Sequence, residues 1–374
     1  MEELKKEVSD PRSVLEALAA FYKADKFIFE RCDDSNGSVG DVYRYTAVNM
    51  FVDHAKTCDD KKWLAELIFK LYAEDDYGVR FCLLERMSEF LPEPLLRKTV
   101  DKFWALAEQE DESPFGNIHV SIAVKSLAEQ LNDPALLERA CKKFARKDGP
   151  STASLLEMAA LHMKCGNAAE ALEWIQHVPL TEKFMAEERD ELLVNINKAL
   201  GNDNAVRETA WRIFRSCRSP ENFERIISLV GESERSETVD SESALILSTE
   251  KLSYGDVEFL IETGKMDDAE TYMIQHSSQF HGGYDYDHLL HFAKFFQKHN
   301  RLIVATLIYR ALLESILARA KSKIYHHGIN YLRKLDSLSD KISDWKDIEN
   351  HAQYKARIKE ANKLKYSFWS EYGS

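Results

Sequence analysis

Residues 164–178, KCGNAAEALEWIQHV, end one amphipathic helix, turn within a few residues, and begin another. Before the turn, Leu155, Leu156, Ala159 and Met163 recur at intervals of three and four, and after it Ala168, Ala171, Leu172 and Ile175 do the same. That period places each set on one helix face, and the two faces must meet for either to leave water. Gly166 and Asn167 supply the left-handed backbone that ends a helix at little steric cost. The stretch is read as a helical hairpin.

The same grammar recurs along the chain. KALGNDNAVRETAWRIF (198–214) turns at Gly201, FLIETGKMDDAETYM (259–273) at Gly264, FFQKHNRLIVATLIY (295–309) at Asn300, and LAEQLNDPALLERA (127–140) at Asn132. The turns are spaced by 34, 35, 63 and 36 residues, and the fifth residue after four of them is small: Ala171, Val206, Ala269 and Ala305. A repeat of this length with a small residue just inside the second helix resembles the tetratricopeptide repeat. The expected fold is therefore all-α, a TPR-like α-α superhelix (solenoid) of antiparallel helical hairpins. The family's early Trp, Gly and Tyr positions and its closing Pro are mostly missing.

Composition agrees with long helices. The 374 residues include only 14 glycines and 8 prolines, about 6% against roughly 12% in average proteins. The most apolar stretch, Leu302 to Ala318, is broken by Arg310 and Glu314 and is short of the roughly 20 residues that cross a bilayer, so it reads as a buried helix. The charged opening MEELKKEVSD lacks the apolar run of an export signal. Cys32, Cys58, Cys82, Cys141, Cys165 and Cys217 form no close pair, which argues against a zinc site or redox dithiol. A cytoplasmic protein with reduced thiols and no membrane segment is expected. Three segments are expected: an N-terminal helical segment at 10–148, TPR-like hairpins at 149–320, and a C-terminal helical cap with a basic outer face at 321–374. DGPSTAS (148–154) and GESERSETVDSES (231–243), the second without apolar period, read as flexible joints.

Two regions, YAEDDYGVRFCLLERMSEFLPEPLL (72–96) and YHHGINYLRKLDSLSDKISDW with HAQYKARIKEANKLKYSFW (325–369), resemble an uncharacterised bacterial helical-repeat family often found C-terminal to SWIM zinc fingers. The tail resemblance rests on Tyr325, Tyr331, Leu332, Leu335, Trp345, His351, Lys355 and Phe368. With neither C-x-C nor C-x-H, the zinc finger itself is absent. The resemblance implies a fold and no activity.

Net charge is −13, unevenly spread: residues 301–374 carry 14 Lys and Arg against 8 Asp and Glu. An acidic body repels nucleic acid, so any such role would sit at the basic end. There Lys355, Lys359 and Lys363 fall at i, i+4 and i+8, opposite a stripe of Trp345, Ile348, Ala352, Ile358, Ala361 and Phe368. In HGGYDYDHLLHF (281–292), His288 and His291 share a helix face, with His281, Asp285 and Asp287 before it; imidazoles and carboxylates so placed suit a metal ion. The plainer reading caps the helix with Asp285 or Asp287 and leaves the histidines on the surface. EDDYGVR (74–80) offers paired carboxylates for acid-base work or, more simply, an acidic helix start with a tight turn at Gly78. No phosphate-binding glycine loop and no G-x-S-x-G occurs.

The expected function is a non-catalytic scaffold that binds a peptide or protein partner, with no cofactor, and with Lys355, Lys359, Lys363, Tyr284 and Tyr286 as partner-binding candidates. The alternatives are a metal-binding or hydrolytic protein centred on His281, Asp285, Asp287, His288 and His291, and nucleic-acid binding through the basic C-terminal helix.

Overall fold

Five helix ends are built alike. At Asn132, Gly166, Gly201, Gly264 and Asn300 the backbone has a positive φ between 48° and 81°. In each case the next residue's N–H reaches back to the carbonyl five positions earlier: Asp133 to Ala128, Asn167 to His162, Asn202 to Asn197, Lys265 to Leu260 and Arg301 to Phe296, at 2.7–2.9 Å. This is the Schellman arrangement, which satisfies the last carbonyls of a helix and needs a left-handed residue. That same next residue accepts the first bond of the following helix, from the N–H of Leu137, Ala171, Val206, Ala269 or Ala305. All five of those residues are buried. Two residues thus reverse the chain, and a buried side chain just inside the second helix lets the pair close.

The structure, a computed structural model, describes residues 10–109, 114–145 and 149–373. It is 75% helix, with no strand among the described residues. The helices of eight or more residues are α1 Pro11–Lys23, α2 Val48–Thr57, α3 Lys61–Ala73, α4 Glu93–Gln109, α5 Pro114–Gln130, α6 Pro134–Lys143, α7 Thr152–Lys164, α8 Ala168–Gln176, α9 Ala186–Ala199 and α10 Asp203–Ser216. They continue with α11 Pro220–Val230, α12 Arg235–Leu247, α13 Tyr254–Glu262, α14 Met266–Gln275, α15 Tyr286–Lys298, α16 Leu302–Arg319, α17 Tyr325–Ser339, α18 His351–Ala361 and α19 Tyr366–Gly373. The chain divides into two compact units, Met1–Thr209 and Ala210–Ser374.

In the first unit, consecutive helices pack as pairs, α5 with α6 and α7 with α8, and α9 returns against α8. Asp10 caps α1, accepting from the N–H groups of Arg12 and Ser13, while the Ser13 hydroxyl donates to the same carboxylate. EDDYGVR is structural. Asp75 accepts the N–H groups of Val79 and Arg80, the Arg80 guanidinium grips the fully buried Asp25 at 2.7 and 2.8 Å, and Tyr77 stacks on Phe29. Gly78, at φ +66°, makes the tight turn.

In the second unit, α16 packs between α15 and α17, so it is apolar nearly all round and buries ten side chains. At roughly 1.5–3 kcal/mol for each fully buried aliphatic side chain, α16 is the main hydrophobic anchor of this unit. The Leu302 to Ala318 stretch is this helix, and none of the described helices is long and apolar enough to cross a membrane.

Two expectations are overturned here. Residues 231–243 are not a joint: most of them belong to α12, whose buried face is Thr238, Val239, Glu242, Ser243 and Ile246. Its inward side is half polar because Glu242 meets Arg218 and Arg215, so no apolar period shows. The basic tail is not one helix with an apolar stripe either. α18 starts at His351, stops at Asn362, and buries His351, Tyr354 and Ile358, while Ala352 and Ala361 face solvent. Of the other expected joint, 148–154, Asp148 lies outside the described residues, and Ser151 caps α7 by accepting from the N–H of Ser154.

Candidate partner-binding groove

α7 has more apolar surface than its hairpin partner α8 can cover. Leu155, Leu156, Ala159 and Met163 share an apolar cluster with α8, and Ala153, Leu156, Ala160 and Leu161 line a groove beside it. The facing wall is α9 and the residue before it, Met185 and Leu192. These positions follow helical spacing on each side, so the groove is a trough between two helix faces, with a volume of about 510 Å³. The α7 face from Ala153 to Lys164 is about 16 Å long at 1.5 Å per residue. Alanines at 153 and 160 leave the floor open.

Met185 holds a left-handed backbone, φ +55° and ψ +33°, which costs a side-chain-bearing residue on the order of 1–2 kcal/mol. Arg189 explains how it is kept there. This buried arginine donates from Nη1 to the carbonyls of Pro179 at 2.8 Å and Glu182 at 3.1 Å, and from Nε to Asp190 at 2.8 Å. It fastens the 179–185 loop to α9 and so positions Met185. The loop also presents Leu180 and Phe184, 60% and 62% exposed. Arg189 sits in the run EERDE, which from sequence looks like a solvated charged face.

The rim is acidic. Glu129, Glu157 and Glu188 line the groove with Lys164. Glu157 is paired with Lys125 at 2.8 Å, and Lys164 donates to the backbone carbonyl of Glu129 rather than to its carboxylate. Burial, then the neighbouring Glu157, pushes the Glu129 carboxyl above its ordinary range.

The 281–291 residues do not converge on one site. Asp285 stands at the start of α15 but caps nothing; its carboxylate accepts from the Tyr254 hydroxyl at 3.1 Å. His288 stacks on the Tyr254 ring, centroids 5.3 Å apart, and His291 lies edge-on to Phe292. His281 and Asp287 are exposed. Gly282 is packed so tightly on α16 that a Cβ there would stand 2.8 Å from the Ala311 carbonyl. Among the described residues no three His, Cys, Asp or Glu side chains converge to hold a metal ion.

The partner-binding candidates are likewise dispersed. Tyr286 shares a hydrogen bond with Tyr331 at 2.7 Å, and Tyr284 is wholly exposed. Lys355 turns inward, donating to Asp336 at 2.7 Å and to Tyr372 at 2.5 Å, while Lys363 pairs with Glu360. Asp336 also accepts from Tyr372 at 2.5 Å and bonds His351 Nε2 at 2.8 Å. Burial alone would raise the Asp336 carboxyl, but the bonds from Lys355, Tyr372 and His351 hold it below its ordinary range. This cluster ties α17, α18 and α19 together.

A second opening, about 690 Å³, lies beside the Arg218–Glu242–Asp256 network. The charges along it balance, Arg215, Arg218 and Lys251 against Asp256, Glu258 and Glu262, so it offers no complementarity to a charged ligand.

These features define a helical-pair protein carrying an acid-rimmed apolar groove in its first unit. The chain belongs to the Family of unknown function (DUF6880), which matches residues 4–146 and 120–371. Neither the curated proteins nor the solved structures compared with the chain include a match.

Proposed function

We propose that this chain is a non-catalytic scaffold whose hairpins are TPR-like and stack as a solenoid, and that a protein partner docks in the groove between α7 and α9. The observation that carries the reading is the groove itself: an apolar trough that α8 does not cover, its far wall fixed by a strained Met185. The stacking reading is supported by the five like turns and by contacts one repeat apart, Cys165 Sγ with the Asn132 carbonyl at 3.4 Å and Lys164 with the Glu129 carbonyl at 3.2 Å. Binding is favoured over catalysis because Asp25, Asp75 and Arg80 are engaged in structural bonds and Asp285 and His288 in contacts with Tyr254. Apolar patches rimmed by polar groups are characteristic of interaction sites.

The test is affinity capture from a lysate of the native organism, with wild type, Ala160→Trp and Lys359→Glu. Ala160 is exposed on the groove floor, so a tryptophan fills the trough without entering the core. One dominant protein held by wild type and Lys359→Glu but lost with Ala160→Trp is the expected result. Capture untouched by Ala160→Trp, or lost with Lys359→Glu, overturns the reading.

A further inference from the structure

We propose that the occupant of the groove is a basic amphipathic α-helix of another protein, seated with its apolar face in the trough and its lysines or arginines against Glu129 and Glu188; this rests on the docking reading above. Each wall is built on one helix, Ala153, Leu156, Ala160 and Leu161 on α7 and Leu192 of α9 with Met185 just before it. A trough between two such walls receives a helix that presents apolar anchors at i, i+3, i+4 and i+7. Methionine in the wall suits this, because its unbranched, polarisable side chain adapts to the shape of what it meets.

Charge then selects the helix. Glu129 lies in the last turn of α5, where the helix dipole disfavours an anion, and within the field of Glu157. Its carboxylate accepts no hydrogen bond and joins no ion pair among the described residues, and neither does that of Glu188. Lys125 is committed to Glu157 and Ser154, and Lys164 to a backbone carbonyl, so both lysines only moderate the field. Glu129 thus stands at a helix C-terminus with its carboxylate in no hydrogen bond or ion pair among the described residues. A cation brought by a partner supplies what the fold does not.

The experiment uses the full chain and two synthetic peptides about 18 residues long, roughly 27 Å as helices. They share one leucine pattern; one carries Lys and Arg at its polar positions and the other Glu. Binding is read by fluorescence anisotropy against wild type, Glu129→Lys/Glu188→Lys and Ala160→Trp, with circular dichroism confirming that each variant is folded. The basic peptide is expected to bind wild type at least ~10-fold more tightly than the acidic one, more weakly as salt rises, with the preference reversed in the double lysine variant and binding lost in Ala160→Trp. Equal affinity for both peptides, abolished by Ala160→Trp, overturns the charge assignment and leaves the groove as a docking site. No binding by either peptide, or binding indifferent to Ala160→Trp, overturns this inference and the docking reading together.

Discussion

Replacing Arg218 by methionine should destabilise the second unit far more than the same change at Arg215, although both arginines bind Glu242. The Arg218 side chain is 6% exposed and pairs with two carboxylates as deeply buried, Glu242 at 3.1 Å and Asp256 at 2.8 Å. Methionine would leave Asp256 without its cation inside the fold. Breaking one side of a buried pair typically costs about 3–5 kcal/mol, because the remaining charge keeps its desolvation penalty and loses its partner. Arg215 approaches Glu242 from solvent, with its side chain 50% exposed, and such a pair contributes about 0–1 kcal/mol. At about 2–4 °C per kcal/mol, Arg218→Met should lower the melting temperature of this unit by about 6 °C or more, and Arg215→Met by no more than about 4 °C. Urea unfolding, with hydrogen exchange on the amides of α12, separates this unit from the other. Equal costs for the two variants, or rapid exchange along α12 in wild type, would refute the argument that a buried ion pair makes residues 235–247 a helix.

The turns give a test with an internal control. Gly166→Ala should cost about 1 kcal/mol, all of it backbone strain at φ +81°, since a Cβ there meets nothing within 4 Å. Gly166→Asn should cost much less, as Asn132 and Asn300 already hold that conformation, and urea midpoints decide. The lowered Asp336 carboxyl sets a pH dependence: its contribution is present above the ordinary 3.8 and is lost as pH falls through the lower folded value, so α19 should loosen in acid. Trp369, on α19 and donating to the Asn362 carbonyl at 2.9 Å, reports this by fluorescence, and Asp336→Asn should remove the transition. The Glu129 carboxyl is raised, so a basic ligand should bind the groove more tightly as pH climbs through a point above the ordinary 4.5, and Glu129→Gln should flatten the profile.

Much of the hairpin architecture was legible because a left-handed helix end is a local event. Gly166, Gly201 and Gly264 adopt positive φ without steric cost, Asn132 and Asn300 tolerate it, and each is followed within five residues by a buried side chain. α12 was illegible because its inward face carries the polar Thr238, Glu242 and Ser243, and the arginines that meet Glu242 come from α10 and the residues that follow it. α18 misled for a related reason: Lys355 reads as part of the basic outer face, yet it turns toward Asp336, which His351 also meets. The groove draws on three helices, so no single stretch of sequence displays it. One local sign was present, since α7 carries apolar residues on two faces while a hairpin needs one. Nor does any local pattern show that Tyr254 donates to Asp285 and stacks on His288, contacts between residues about 30 apart.

The central claim is that the trough between α7 and α9 is the face that meets a partner, and crosslinking tests it most directly. A photoreactive residue placed at position 160, and separately at position 359 on the exposed side of α18, would be activated in cells of the native organism. The account predicts a discrete crosslinked protein from position 160, absent from position 359, whose contact peptide is helical and rich in Lys or Arg. Crosslinks from position 359 alone, or none from position 160 beyond this chain's own residues, would contradict it.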